Sequence, residues 1–225
     1  MSLYFPASDG SDRFLLLPRS RFVKQKLGTA IQAGALLVCF NAGFDWSRLA
    51  VDWEVADNGG WSLILSEYDD PETGEVRPNK FFPRIVIKAL NSKAAIIHST
   101  RSPMSEKSRT DGEVKLWPAA RFLDLRTLLW SLRNRSYSLQ SACYAFGIDG
   151  KLDHTPSGTV TLAEIEYCRQ DVRATLALLN ATKAEYDLHP IDPGPDRLFS
   201  PASLAKAYLE KLNISHPSEV VENAE

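Results

Sequence analysis

The stretch 35–50, ALLVCFNAGFDWSRLA, limits the possible fold more than any other part of the sequence. Residues 35–40 are an uninterrupted apolar run, which predicts a fully buried strand. Asn41-Ala42-Gly43 follows, and these residue types indicate a turn. Phe44 and Asp45 then open a short predicted helix that continues to Leu49. A buried strand followed by a turn and a helix is typical of α/β proteins, so we expect that class.

Asp45 lies at the carboxyl end of the predicted strand and beside a helix N-terminus, where open α/β sheets bind ligands. A carboxylate in that place is a suitable ligand for a hard cation such as Mg²⁺, which prefers oxygen. The alternative is that Asp45 only caps its own helix. This stretch alone does not decide between the two, because short motifs often occur by chance.

Length and composition fit a soluble globular domain. The 225 residues are enough for one substantial core with a small appendage, and 44% hydrophobic and 24% charged residues are ordinary for that class. No apolar run approaches the length that spans a bilayer, and residues 1–12 lack the layout of a secretory signal. A net charge of −2 argues against a broadly basic nucleic-acid binder, but not against an enzyme that binds nucleic acid locally through metal ions.

The cysteines favour a reduced, cytoplasmic protein. Cys39, Cys143 and Cys168 lie in apolar or helical contexts and lack the spacing of zinc ligands. Three is an odd number, so we expect reduced core thiols rather than a disulfide framework.

Between residues 19 and 100 the pattern predicts one further helix and three strands. Ser20 is the predicted cap of a helix with Val23, Leu27 and Ile31 at helical spacing. The strands, at 61–68, 84–89 and 94–99, have no helices between them, so they predict an antiparallel part of a mixed sheet. The charge-rich residues 100–116 predict an exposed loop.

The second half of the chain predicts mainly helices. A strand at 121–125 leads into a helix to residue 132, and Ser138 caps the next helix. Thr161 and Glu164 form a capping box that starts a long helix to about residue 186. Its predicted apolar stripe consists of Ile165, Cys168, Val172, Leu176 and Leu179.

On that long helix Tyr167 and Asp171 are four residues apart, so they share one face. The face brings a phenol and a carboxylate towards a single point. The alternative is a half-buried tyrosine and a surface aspartate that pairs with an arginine.

The two motifs together point to a family. Asn41-x-x-Phe44-Asp45, followed far downstream by Tyr167-x-x-x-Asp171, resembles the second and third motifs of the 3′–5′ exonucleases with a ribonuclease H-like fold. The resemblance is to the tyrosine-bearing subclass found in the proofreading domains of family B DNA polymerases. FNAGFDWSRLA, FLDLRTLLWSLRNRSYSLQSACYAFGI and EYCRQDVRATLALL resemble the bacterial polymerase-like branch, and SPASLAKAYLEKLNI resembles its junction to the polymerase module. The similarity covers most of residues 14–214.

The resemblance implies a ribonuclease H-like mixed sheet flanked by helices and a site for two Mg²⁺ or Mn²⁺ ions held by four carboxylates. By matching positions, Asp45 and Asp171 would be metal ligands, and Tyr167 would orient the water that attacks the 3′-terminal phosphodiester. Phe44 would pack at the strand end, and Asn41 would hold the turn or approach the nucleotide. The expected domains are an exonuclease-like domain (1–188), a Pro-rich linker (189–199), a C-terminal helix at the junction (200–214) and a tail (215–225).

One part of the family pattern is missing. Its first motif, Asp-x-Glu on the first strand of the sheet, does not occur in residues 1–35. Asp52-Trp53-Glu54 has the spacing but follows the Asp45 helix, where an edge or exposed position is expected. We therefore expect a chain that begins after the first strand, an incomplete metal site and little exonuclease activity by this chain alone.

Weaker candidates lie after residue 120. Asp124 is expected to be a helix cap rather than a ligand. Local positive charge comes from Arg121, Arg126, Arg133 and Arg135, which together with Tyr137 and Trp130 could contact phosphate and stack a base. The alternative is a solvated helix face with two core aromatics.

Three functions remain open from the sequence. The first is an exonuclease-class domain of a DNA polymerase-like protein, which acts on single-stranded DNA 3′ ends, with a polymerase module as a possible partner. The second is a non-catalytic nucleic-acid-binding or interaction module. The third is a fragment that does not fold alone.

Overall fold

The computed structural model describes residues 3–6, 13–57, 59–100, 119–150, 152, 154–155 and 158–214. With 43% helix and 20% strand, in sheets of parallel and antiparallel strands, the structure is mixed α/β, as the sequence predicts. The chain divides into two compact units: residues 1–37, 43–88 and 96–122 form the first, and residues 38–42, 89–95 and 123–225 form the second. The predicted tail and most of the predicted loop at 100–116 lie outside the described residues.

The elements follow in chain order. The strands are β1 (Leu3–Pro6), β2 (Arg13–Leu16), β3 (Leu36–Cys39), β4 (Asp52–Val55), β5 (Trp61–Ile64), β6 (Glu67–Asp69), β7 (Val76–Pro78), β8 (Ile85–Asn91), β9 (Ala94–Ser99) and β10 (Arg121–Asp124). The helices are α1 (Arg19–Phe22), α2 (Gly28–Gln32), α3 (Ala42–Ser47), α4 (Leu125–Arg133), α5 (Leu139–Ala145), α6 (Leu162–Tyr186) and α7 (Pro201–Lys211). A π-helical segment, Val23–Leu27, joins α1 to α2.

A four-stranded sheet of order β4-β5-β8-β9 dominates the first unit. β5 pairs antiparallel with both β4 and β8, which confirms the predicted antiparallel region. The strand predicted at 61–68 is in fact two strands, β5 and β6, and β6 pairs with β7 instead. Buried residues of β5 and β8, such as Leu63, Ile64 and Ile85, contribute to the core of this unit.

The helical segment 19–32 places Val23, Leu27 and Ile31 in the interior, as their spacing predicts. The predicted cap was wrong, because Pro18 occupies the cap position and Ser20 already lies within α1. Proline suits a helix start, since its ring fixes φ and it lacks an N–H that would need a partner.

β3 is the strand predicted at 35–40, and it pairs with β10. Arg121 N donates to Ala35 O where both strands begin, and Asn41 N donates to the Asp124 side chain where both end. The two strands therefore run in the same direction. The predicted full burial of this strand was wrong: its residues are half-buried or exposed, with Leu36 the most exposed.

A hydrophobic core lies at the junction of the helices of the second unit. α4, α5 and α6 supply most of it, and the Pro-rich segment adds Leu198; the buried members are Leu123, Leu125, Leu128, Leu129, Leu139, Ala142, Cys143, Ala174, Leu178 and Leu198. Local signals set the helix starts as predicted, since Asp124 caps α4 and capping boxes begin α5 at Ser138 and α6 at Thr161.

α6 presents a different face to the core from the one predicted. Its bounds match the prediction, but its fully buried residues are Ala174, Leu178 and Thr182. Of the predicted stripe, Cys168, Val172 and Leu176 are exposed. Cys168 is therefore not a core thiol, although all three cysteines are free, as expected. In the described part of the chain, no helix has both the length and the apolar character needed to cross a membrane.

The Pro-rich segment 189–199, predicted as a linker, packs within the second unit. Leu198 is buried in the core and Ile191 packs against it. Tyr186 Oη donates to Pro193 O, and Ser131 Oγ lies 3.2 Å from Leu198 O. α7 follows, capped at Ser200, close to the predicted C-terminal helix.

Candidate functional site

Asn41 turns the chain between β3 and α3 in a left-handed conformation, with φ of 67°. Asn and Gly adopt this conformation more easily than other residues. Its backbone N–H donates to Asp124 Oδ1 at 2.9 Å, and its side-chain oxygen accepts a hydrogen bond from Arg126 Nη1 at 3.0 Å. Asn41 thus holds the turn, which is one of the two roles expected for it; contact with a nucleotide stays a prediction.

Asp124 connects the ends of the two parallel strands. Its Oδ1 accepts from the backbone N–H groups of Asn41 and Arg126, and its Oδ2 accepts from Thr127 Oγ1 at 3.0 Å. Burial raises the pKa of the Asp124 carboxyl above its ordinary value, although these hydrogen bonds act in the opposite direction. The prediction that Asp124 is a helix cap is confirmed.

Arg126 completes this network; from the sequence it was expected to supply local positive charge that could contact phosphate. Its Nη1 donates to Asn41, and its Nη2 donates to Ser92 O at 2.9 Å. No local pattern signals this role, because Asn41 lies 85 residues away along the chain. The Arg126 guanidinium is therefore engaged within the protein.

The Asn41 turn yields the first testable prediction. Asn41→Ala should lower the free energy of unfolding by about 2 kcal/mol, because alanine is strained in the left-handed region and Arg126 loses its acceptor. Asn41→Gly relieves the strain, so we expect a loss of about 1 kcal/mol or less. Urea denaturation of both variants measures the difference. Equal losses for alanine and glycine would contradict the assigned role of this turn.

Asp45 lies in the first turn of α3, in the first unit. It is exposed, and the positive end of the helix dipole favours a carboxylate there. Its neighbour Phe44 does not pack at the strand end as expected. The Phe44 ring is 54% exposed, and the Arg48 guanidinium lies 4.6 Å from its centroid.

Tyr167 and Asp171 lie one turn apart on α6, in the second unit, and both are half-buried. The Oδ1 atom of Asp171 is shielded from solvent. The charge of Asp171 contributes, after burial, to raising the pKa of the buried Cys143 thiol. The pair therefore faces the interior side of α6, whereas Val172 beside it faces outward.

The segment before α6 contacts Tyr167 and the nearby Gln170. The imidazole of His154 lies against the Tyr167 ring, with centroids 5.1 Å apart and planes 31° apart. Gln170 Nε2 donates to Gly150 O at 3.1 Å. From the sequence His154 was expected only to flank the cleft, because nothing in the local pattern identifies a ring partner 13 residues away.

The three predicted catalytic residues belong to different units: Asp45 to the first, Tyr167 and Asp171 to the second. Their convergence on one site stays a prediction. Within the ranges that the structure describes, no three His, Cys, Asp or Glu side chains are grouped so that they could hold a metal ion.

The predicted nucleic-acid contacts at the end of α4 and just after it differ in their availability. Arg133 forms an ion pair with Glu185, with Nη2 and Oε2 2.6 Å apart, and lies 4.0 Å from the Phe146 centroid. The hydrogen bond to Glu185, with a smaller contribution from one to Tyr137, raises the pKa of Arg133 above its ordinary value. Arg133 would have to leave Glu185 to bind a phosphate, and Tyr137 packs against the core. Arg135 is exposed.

Comparison with protein-family models, with curated protein sequences and with solved structures finds no match to this chain.

Proposed function

We propose that this chain is a 3′–5′ exonuclease-class domain with a ribonuclease H-like fold, from a DNA polymerase-like protein. It binds single-stranded DNA 3′ ends and hydrolyses them weakly on its own. The observation that carries the proposal is the orientation of α6, which directs Tyr167 and Asp171 inward while Val172 and Leu176 remain exposed.

That orientation is unusual for a helix that only packs. Burial of apolar side chains is the main source of stability, so an amphipathic helix normally turns its larger apolar residues inward. Positions where a chain departs from this rule are often functional. A carboxylate and a phenol on the inner face, one turn apart, match the third motif of the exonucleases that the sequence resembles.

Asp45 supports the same proposal from the other motif. It follows β3, whose parallel pairing with β10 and left-handed turn at Asn41 give the strand-turn-helix geometry expected of the second motif. Ligands of open α/β sheets bind beyond the carboxyl ends of the strands, where β3 and β10 both end. Its exposure leaves the Asp45 carboxylate accessible to solutes.

The chemistry of Asp45 and Asp171 fits a hard divalent ion such as Mg²⁺ or Mn²⁺, because both supply carboxylate oxygens. Such an ion would neutralise charge on the scissile phosphodiester. Two carboxylates are fewer than the four of the family, and residues 1–35 hold no Asp-x-Glu pair. We therefore expect weak metal binding. Tyr167 would position the attacking water through its hydroxyl, and His154 would hold the Tyr167 ring in place.

The test is metal-dependent binding of a fluorescein-labelled single-stranded DNA with a free 3′ end, measured by anisotropy with Mn²⁺ and with EDTA. We expect Mn²⁺ to strengthen binding, and Asp45→Asn or Asp171→Asn to remove most of that gain. Asp69→Asn is the control for Asp45→Asn, and Asp187→Asn is the control for Asp171→Asn. Each control removes one exposed carboxylate from the unit that contains the corresponding site residue. Site variants that bind like their controls would refute the proposal.

Hydrolysis is followed in the same samples by gel electrophoresis. We expect little or no shortening of the DNA by the wild-type chain. Clear metal-dependent removal of 3′ nucleotides, abolished by Asp45→Ala, would support the exonuclease class and contradict the prediction of weak activity.

A second candidate is a non-catalytic nucleic-acid-binding module, favoured by the missing Asp-x-Glu pair. Its binding would not respond to Mn²⁺ and would fall steeply with salt concentration, because phosphate contacts release counterions. Arg135→Gln would weaken binding of this second kind, whereas under the exonuclease proposal it would leave the Mn²⁺-dependent gain in binding unchanged.

A further inference from the structure

We propose that the outer edge of β4 and the apolar side chains beside it form a docking site for an extended segment of another protein in which apolar and basic residues alternate. The proposal is independent of the exonuclease assignment. It rests on three features of the first unit: the open edge of β4, an exposed apolar patch made of Trp53, Val55 and Trp61, here named the β4 patch, and the charges around them.

The edge of β4 offers backbone groups for another strand. In the part of the chain that the structure describes, β4 ends the sheet and pairs only with β5. Ala56 N donates to Gly60 O, so residue 56 turns its backbone towards β5. In an antiparallel pair, successive residues direct their backbone N–H and C=O groups to opposite sides of the strand. Residues 52 and 54 therefore also direct these groups towards β5, and Trp53 and Val55 direct theirs towards the open edge. Trp53 N is occupied by Asp52 Oδ1, which leaves the Val55 N–H and the two carbonyls directed to the edge.

The β4 patch lies along the same edge. Val55 is opposite Trp61 in the register, and the Trp53 and Trp61 rings contact edge to face, with centroids 4.5 Å apart. The exposed fractions are 52% for Trp53, 73% for Val55 and 50% for Trp61. Two half-exposed tryptophans with a β-branched neighbour form a contiguous apolar surface, which is typical of an interaction site.

The charges near β4 indicate what kind of strand can bind at its edge. Asp52, the first residue of β4, and Asp57, two residues after its end, are both exposed, whereas Glu54 is paired with Arg84 and Lys80. Nucleic-acid phosphates would be repelled by the two exposed carboxylates. A second copy of β4, paired antiparallel about Glu54, would bring Asp52 of one copy close to Asp57 of the other. A strand with basic residues suits this edge, because its cations meet both carboxylates while its apolar residues cover the tryptophans.

The test uses a synthetic peptide of alternating lysine and valine, labelled with fluorescein, and the full chain. We expect binding that is about tenfold tighter than that of a glutamate–valine peptide. Val55→Pro removes the outward N–H without touching the β4–β5 ladder, so it should weaken binding by about tenfold. Val55→Thr is the matched control, since it keeps the N–H and the β-branched shape, and should bind within about threefold of wild type.

Thermal unfolding shows whether each variant is folded. If Val55→Pro does not fold, backbone pairing is tested instead with a lysine–valine peptide that is N-methylated along one edge. This peptide keeps its charge and apolar area but cannot form backbone hydrogen bonds with β4. Several outcomes would overturn the proposal. These are equal binding of the two peptides, no binding of the lysine–valine peptide, unchanged binding to folded Val55→Pro or of the N-methylated peptide, or a dimer in sedimentation that Val55→Pro dissociates. Single-stranded DNA binding that Val55→Pro abolishes would also overturn it.

Discussion

Leu178→Ala should lower the free energy of unfolding by about 2–5 kcal/mol, because it empties a fully buried site in the core of the second unit. Leu176→Ala, two residues away, should change it by about 0.5 kcal/mol or less, since that side chain is 57% exposed. The two substitutions remove the same atoms from the same helix, so differences in helix propensity cancel. Chemical denaturation of both variants gives the comparison directly.

The pair also tests the orientation on which the proposed function depends. If Leu176→Ala were the more damaging change, α6 would turn its Cys168–Val172–Leu176 face to the core. Tyr167 and Asp171 would then face away from it, and the exonuclease proposal would lose its main support.

Asp124→Ala should lower the free energy of unfolding by about 3 kcal/mol. The change removes a helix cap and leaves the Asn41 N–H and the Thr127 hydroxyl without their acceptor. Asp124→Asn is the matched control, because its amide keeps an acceptor for Asn41 and Arg126 and can donate to Thr127. We expect it to unfold within about 1 kcal/mol of wild type at neutral pH. An Ala variant as stable as the Asn variant would show that the network contributes little.

We also expect the contribution of Asp124 to the free energy of unfolding to depend on pH. The pKa of Asp124 is higher in the folded protein than its ordinary value, mainly because burial disfavours the charged form. The folded state therefore holds this proton more tightly, and the contribution of Asp124 to stability falls as pH rises from the ordinary value through the raised one. Denaturation of wild type and Asp124→Asn across that range should show this fall only in the wild type.

Local signals predicted the helices of the second unit well. The Thr161–Glu164 box, the Ser138 cap and the Asp124 cap act over three or four residues, so the sequence displays them whole. The orientation of α6 was not predictable in this way. Both of its faces carry apolar residues, and the face that packs uses the smaller Ala174 and Thr182 with Leu178, whereas the pattern favoured the larger Val172 and Leu176.

Contacts between distant parts of the chain account for the remaining differences. Asp124 was identified as a cap, but its bond to Asn41 spans 83 residues, and the ion pair of Arg133 with Glu185 spans 52. Neither contact produces a periodic pattern in the sequence from which it could be predicted. The sequence therefore identified the motif residues of the candidate site, Asn41, Asp45, Tyr167 and Asp171. It did not identify the residues that contact them and fix their positions.

The packing of the Pro-rich segment affects where the domain can be divided. A chain cut after residue 188 would lose Leu198 from the core and the carbonyl beside Ser131. The helices α4 and α6 would then expose apolar surface to water, and aggregation would follow. A fusion or expression boundary therefore belongs after α7, because the segment whose composition predicts a linker is part of the folded second unit.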